Sequence, residues 1–394
     1  MISSYITHFQ SLDRLLHETR QYWQLLAFDH LVTPWPELDE YLSTLDEQTV
    51  TALDMDQGAL QQALAKYIPQ LTEISELTQV TLTERPRTEL PFWLSNGIKG
   101  RKVGQLQDFV SALNEQQLPV LEWCAGKGHL GRILAYTGVP HVDSIELQAH
   151  LCEQGAQSAA HQKLDMTFHC ADVLSDPVSH HFKVAQHAVA LHACGKLHQN
   201  FMREAAKVGC EKISLSPCCY HLFTSDEYQP MSEEGQQSAL RLTHNDMKLA
   251  LQETVTAPSR VAKVRKKEVL WRLAFDALRR DITQTDHYVS VPSVNKAIFS
   301  GEFVEFCVWA ANKKGIDLPE QVDYQRYLLQ AQTRQKVTER IELVRHGFRR
   351  AIELWLVLDR VLYLHAKGYD VTLEQFCEKS LTPRNLLIQA TKRQ

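Results

Sequence analysis

The chain has 394 residues, with 42 Lys and Arg against 47 Asp and Glu, a formal charge of −5 with histidines neutral. At roughly 100–200 residues per domain, that length supports two or three structural units and a large core. Hydrophobic residues at 44% and charged residues at 23% exclude disordered, collagenous and coiled-coil chains. The longest apolar runs, such as Leu354–Leu358, fall far short of the ~20 residues of a membrane span, so no membrane partner is expected. The first ten residues lack the basic and apolar regions of a secretory signal. Nine cysteines without framework spacing predict free thiols in a reducing compartment. The expectation is a soluble cytoplasmic protein.

The net charge is the remainder of an uneven distribution. Residues 1–83 carry twelve acidic residues against Arg14, Arg20 and Lys66, a balance of −9 that leaves +4 for the rest. This acidic part reads as helix: Leu12, Leu15, Leu16, Tyr22, Trp23, Leu25 and Leu26 recur at helical spacing, and Gln61–Leu71 does likewise. Pro34 and Pro36 interrupt it, and Arg85-Pro86-Arg87 with Pro91 closes it near residue 90. A helix follows through Val103, Leu106, Phe109, Val110 and Leu113. Short apolar runs then alternate with helical stretches: Pro119–Trp123, His141–Ile145, Met166–His169, Ala188–Leu191 and Lys212–Leu215. Polar residues close four of them at even intervals (Glu122, Glu146, Asp172, His192), the cadence of βα units in a parallel sheet covered by helices.

After Ser216 the cadence stops, and residues 230–355 read mostly as helix, with stretches such as Val269–Leu278 and Val337–Trp355. Two helices are basic. Residues 260–280 hold eight cations against Glu268 and Asp276, and residues 334–350 hold six against Glu339 and Glu342. Strand texture returns in Tyr369–Phe376 and Asn385–Gln389. The expected organisation is an acidic helical region over 1–90, an α/β core over 91–225, a helical insertion over 226–349 and the end of the core over 350–394.

Residues 119–131, PVLEWCAGKGHLG, read as a strand, a tight turn containing Gly126 and Gly128, and the start of a helix. Glycine permits the unusual dihedrals and close ligand approach such a turn needs. The turn lies at the carboxyl end of the first strand, where doubly wound sheets bind cofactors. Glu146 closes the next strand, and a carboxylate there can accept both hydroxyl hydrogens of a ribose.

The layout, a Gly-x-Gly pair preceded by the acidic strand end Glu122, resembles the class I S-adenosylmethionine (SAM)-dependent methyltransferases, with Cys124 standing where their turn usually has its first glycine. The resemblance implies a Rossmann-like seven-stranded α/β sheet, with the helical insertion before the last two strands. It also implies SAM as cofactor: Glu122 would reach the methionine part, Glu146 the ribose and Asp172 the adenine amino group, with Lys102 and Gln105 close by. The stretches Ala190-Leu-His-Ala-Cys-Gly195 and Ser216-Pro-Cys-Cys-Tyr-His221, with the Cys124–His129 turn, are similar to those of a subfamily that includes glutathione S-transferase C-terminal domain-containing proteins and, more distantly, methyltransferase-like proteins and a tRNA 2′-O-methyltransferase. Leu358-Asp-Arg360, Gly368-Tyr369 and Thr382-Pro-Arg-Asn385 resemble the close of that domain.

Residues 120–221 contain seven of the nine cysteines and eleven of the eighteen histidines. Cys152, Cys170 and Cys210 are expected inside helices or strands, and His180 and His181 in an exposed loop. His192 and Cys194 follow the fourth strand, and Cys218, Cys219 and His221 follow the fifth, so all five meet Cys124 at one sheet edge. Three chemistries fit. His192 or His221 can act as general base. Cys194 and one of Cys218 and Cys219 can form a nucleophile pair acting on a pyrimidine, as cysteines after the same strands do in cytosine-5 RNA methyltransferases. The set can also bind zinc, although adjacent Cys218 and Cys219 rarely share one ion and no metal is assigned here.

The large helical additions point to a macromolecular substrate. The basic helices 260–280 and 334–350, with Arg85, Arg87, Lys99, Arg101 and Lys102, are expected to grip RNA phosphates, tRNA or rRNA being the preferred substrate. The acidic helices are expected to meet a protein or pad the pocket. A small-molecule or protein methyltransferase, or a SAM-binding scaffold without turnover, is the alternative.

Overall fold

A computed structural model of the chain describes residues 2–113, 117–252 and 259–394. Residues 253–258, within the expected insertion, and the side chain of Arg260, counted in the first basic helix, lie outside the described residues. Seven strands form one sheet: β1 (Val120–Trp123), β2 (Val142–Glu146), β3 (Met166–Cys170), β4 (His187–Cys194), β5 (Lys212–Cys218), β6 (Tyr369–Gln375) and β7 (Leu386–Lys392). Their order is β3-β2-β1-β4-β5-β7-β6. The first five are parallel, and β7 runs antiparallel between β5 and β6. This is the Rossmann-like α/β sheet expected from the sequence.

The strands form where apolar side chains fill both faces. Every residue of β1 and β2 is buried, as a strand covered by helices on two sides requires. One face packs Leu106, Phe109 and Val110 of the Gly100–Ala112 helix with Ile133 and Leu134 of the His129–Tyr136 helix, Val120 and Leu387. Phe109 meets Phe376 edge-on at 5.3 Å between ring centres. On the other face Trp123 packs against Phe182 and Phe201 and donates its indole N–H to the Leu197 carbonyl at 3.1 Å, fixing the start of the Lys196–Val208 helix beneath the β4 loop.

Contacts group the chain into two compact units that do not follow its linear order. One comprises Met1–Arg20, Glu73–Val255 and Phe348–Gln394 and holds the whole sheet; the other comprises Gln21–Thr72 and Thr256–Gly347. In the sheet-bearing unit the first helix, Ile2–Glu18, lies on the Arg349–Ala366 helix, with the ring of Phe9 5.2 Å from that of Trp355 and Asp13 accepting the Trp355 indole N–H at 2.8 Å. In the other unit, aromatic side chains of the Ser259–Thr283 and Phe303–Lys314 helices, Trp271, Phe275, Phe303 and Phe306, build the core.

Four local expectations are corrected. The run Val337–Trp355 is two helices, Tyr324–His346 and Arg349–Ala366, and the junction at Gly347 is pinned by Gln57 and Gln61, which both donate to its carbonyl. The run Gln61–Leu71 is likewise split between Gln57–Leu64 and Gln70–Leu77, with Pro69 between them. Cys170 ends β3 in an exposed position, and Cys210 is buried in the turn before β5. The basic helix over 334–350 is not a solvated stripe: Arg334, Arg345, Arg349 and Arg350 are all buried. Arg334 pairs with Asp276 at 2.7 Å, Arg345 with Glu342 at 2.6 Å and Arg350 with Glu353 at 2.7 Å.

Beneath the sheet edge runs a buried polar chain. The Arg360 Nε donates to His198 Nε2 at 2.8 Å, and the other His198 nitrogen donates to the Ala193 carbonyl at 3.0 Å. Arg360 also donates to the Tyr228 hydroxyl at 3.1 Å, and that hydroxyl donates to Asp359 at 2.5 Å. Asp359 further accepts the backbone N–H groups of Met231 and Ser232. Every member is satisfied, which is the condition for such a network to rigidify a core. Removing one partner strands the others. We expect Arg360→Ala to lower unfolding stability by about 3–5 kcal/mol, measured by urea denaturation; a loss below 1 kcal/mol would mean the network is not holding the β4 end.

Candidate active site

The first element of the site is the turn after β1. Cys124, Gly126 and Gly128 all have positive φ, at 57°, 59° and 65°. At Gly128 a Cβ would run into the Phe168 ring, so glycine is required, whereas at Gly126 nothing lies within 4 Å of the Cβ position. Open space therefore faces the turn at Gly126. Glu146 stands at its rim, accepting the Gly126 N–H at 2.9 Å on one oxygen and the Gln148 N–H at 3.0 Å on the other. Asp172 follows β3, and one of its oxygens closes its own turn by accepting the Leu174 N–H at 3.0 Å.

Glu122 lies within β1. It is 3% exposed and accepts the Ser144 hydroxyl at 2.8 Å. Burial lifts its carboxyl from 4.5 to about 7, against the pull of Ser144, the Gly131 N–H, Arg132 and Lys102.

The second element comes from the Gly100–Ala112 helix. Lys102 donates to Gln105 Oε1 at 3.0 Å, and Gln105 Nε2 meets His192 Nε2 at 2.5 Å. Lysine has only donors, so it fixes the orientation of the Gln105 amide. The amide N–H then points at His192, whose Nε2 must be the unprotonated nitrogen. Burial, with Lys102 beside it, lowers the His192 pKa to about 4, so the ring is neutral with its proton on Nδ1. In this arrangement the basic lone pair of His192 is already engaged. His221 differs: its Nδ1 is buried with no hydrogen-bond partner among the described residues.

The third element is the thiol cluster. The pairing of β4 with β5 shifts register between Leu191 and Cys194, so Cys194 lies opposite Cys218. Their sulfurs are 3.4 Å apart, and with the Cys219 sulfur all three lie within 4.8 Å of one another. His192 and Cys219 have φ of 66° and 46°. Left-handed backbone is uncommon for residues with a side chain and clusters at functional sites. Five such residues occur among the described residues, and three of them, Cys124, His192 and Cys219, stand at the ends of β1, β4 and β5. Gly195 continues the β4 turn at φ 54°, where a Cβ would overlap the Leu222 carbonyl. The Cys219 thiol is pushed down because the Cys194 and Cys218 thiols hydrogen-bond to it and His221 and Arg384 face it, whereas its contacts with Cys194 and Cys219, and burial, push Cys218 up. Burial raises Cys124 to about 12, so it stays a thiol.

Arg384 is the residue that the sequence places only in a closing motif. In the structure it donates to Glu353 at 3.3 Å and its charge bears on both His192 and Cys219. Its loop precedes β7, and the antiparallel pairing of β7 with β5 brings it to the carboxyl edge.

Residues 99–226 match the model of a family described as a methyltransferase domain. The match covers about a third of the chain. The open turn, the carboxylate of Glu146 and the buried acid Glu122 fit a ligand with a ribose diol and a cationic amino acid. Comparison with curated proteins gives no match. Among solved structures, the PH0226 protein of Pyrococcus horikoshii OT3 is 13% identical, with 32% of this chain and 62% of that one covered and a TM-score of 0.27. A geranyl diphosphate C-methyltransferase of Streptomyces coelicolor A3(2) is 12% identical over 34% and 57%, at a TM-score of 0.26. A tRNA (uracil-54, C5)-methyltransferase of Pyrococcus abyssi is 18% identical over 29% and 28%, at 0.24. The chain thus spans less than two thirds of the length of each. No helix among the described residues is long and apolar enough to cross a membrane.

The state of Glu122 gives a pH test with a definite sign. Its native carboxyl binds a proton more tightly than its unfolded one, so it lowers stability as pH rises from 4.5 to about 7. We expect Glu122→Gln to match the native protein below pH 4.5 and to exceed it above pH 7 by about 3 kcal/mol in denaturant titrations. Parallel curves at all pH values would show that Glu122 is ionised in the fold.

Proposed function

We propose that the protein transfers the methyl group of SAM to RNA, tRNA or rRNA. The observation that carries the reading is the glycine turn after β1, open at Gly126, with the carboxylates of Glu122 and Glu146 beside it. SAM supplies an electrophilic methyl group on a sulfonium sulfur. Glu146 holds the ribose hydroxyls and keeps the turn in shape through the Gly126 N–H. Glu122 would release its proton to solvent on pairing with the cationic methionine amino group, becoming a paired carboxylate. Asp172 would contact the adenine amino group. His192, its Nε2 held by Gln105, presents Nδ1–H as a donor that orients the acceptor. His221 would take the proton that the attacking hydroxyl or amine loses.

RNA as substrate is supported by a group of cations at the surface of the helical unit. Lys263, Arg265 and Lys266 are exposed, and Lys263, Lys266, Lys267 and Lys336 border a groove of about 460 Å³ together with Glu47 and Glu339. The Ala190–Gly195 and Ser216–His221 stretches, similar to those of RNA-modifying proteins, agree with that reading. Nine free thiols fit the reducing cytoplasm.

Two substitutions test the reading at different points. His221→Ala is expected to lower kcat at least 100-fold with SAM affinity unchanged, the size of a lost general base. Lys263→Glu with Arg265→Glu is expected to cut methyl transfer from labelled SAM into total RNA at least tenfold. It should also flatten the salt dependence of RNA binding by about two units of log–log slope. Transfer into protein or small-molecule fractions, untouched by the double variant, would overturn the RNA assignment.

A further inference from the structure

The three thiols at the ends of β4 and β5 are arranged more closely than packing requires. In an extended strand neighbouring side chains point to opposite faces, so Cys218 and Cys219 would normally diverge. Here the chain leaves β5 at Cys218 and Cys219 turns to φ 46°, which brings its sulfur back beside that of Cys218. The register shift in β4 independently delivers Cys194 to the same point, opposite Cys218. Two separate departures from regular strand geometry thus converge on one cluster. A tetrahedral zinc ion with Zn–S bonds of about 2.3 Å holds its sulfurs about 3.8 Å apart. The Cys194–Cys218 separation of 3.4 Å, with all three sulfurs inside 4.8 Å, brackets that spacing.

We propose that Cys194, Cys218 and Cys219 bind one zinc ion as thiolates at the carboxyl edge of the sheet. Zinc is favoured because soft thiolate sets without carboxylate or carbonyl donors select it over magnesium, calcium or manganese. Each thiol releases its proton to solvent as its sulfur–zinc bond forms, so no oxidant or reductant is needed. Three thiolates on a divalent ion leave one net negative charge, and the cations facing the cluster are Lys102, beside Cys218, and Arg384, beside Cys219. Three protein ligands leave a fourth position for water or an incoming acceptor atom, as in catalytic rather than structural zinc sites. His221 faces Cys219. The site does not depend on RNA being the substrate.

The test uses the full-length protein, purified under reducing conditions without chelator. Elemental analysis is expected to find one zinc per chain, lost in the triple variant Cys194→Ser, Cys218→Ser, Cys219→Ser. Because that variant can misfold, the wild-type protein supplies a second readout, alkylation mapped by mass spectrometry. Zinc should protect Cys194, Cys218 and Cys219 at least tenfold, and chelation should expose them. The exposed Cys170 should react equally in both conditions. Reaction of the three thiols at the same rate with and without zinc, or zinc content unchanged in the triple variant, would overturn the proposal. Neither readout requires methyl transfer, so failure of the functional reading would leave this one standing, and the reverse.

Discussion

The way β4 ends is the constraint on which the site depends. The register shift between Leu191 and Cys194 turns His192 into left-handed backbone and sets Cys194 against Cys218. The same turn forces Gly195 into a conformation in which the Leu222 carbonyl occupies the space of a Cβ. Strain of this kind persists only where the surroundings over-determine it. Here the surroundings are specific: His198 holds the Ala193 carbonyl from below, and Arg360 holds His198. A buried arginine on a distant helix thereby sets the position of a histidine at the surface of the sheet. Order runs from the core outward to the chemistry.

Electrostatics then divides labour among groups of the same kind. Glu122 and Glu146 are both strand-end carboxylates, but Glu146 accepts two backbone N–H groups at the rim while Glu122 is enclosed and has a raised pKa. Glu146 shapes the turn, and Glu122 is an acid poised to ionise for a cation. The two imidazoles separate likewise. His192 is committed through Gln105 to Lys102, whereas His221 keeps an unpartnered nitrogen. Environment, not residue type, assigns these roles.

Much of the sheet is legible in the sequence because its signals are local. Continuous apolar runs mark strands buried on both faces, and the polar residue ending each run marks the carboxyl edge. What the sequence hides is non-local. The arginines of 334–350 read as a basic face, but the partner of Arg334 is Asp276, nearly sixty residues away. The helix break at Gly347 depends on Gln57 and Gln61, which belong to another part of the chain. Adjacent Cys218 and Cys219 seem unable to act together until the φ of Cys219 is known. Arg384 stands in a recognisable motif, yet only the antiparallel turn into β7 brings it to the site.

The central claim is that the ligand lies in the open turn after β1, bounded by the ends of β2 and β3. Hydrogen–deuterium exchange of the full chain, with and without S-adenosylhomocysteine, tests it directly. The account predicts slowed exchange in the segments 123–130, 145–149 and 171–175, with no change in the helices of residues 259–346. Protection confined to those helices, or absent from the glycine turn at saturating ligand, would contradict it.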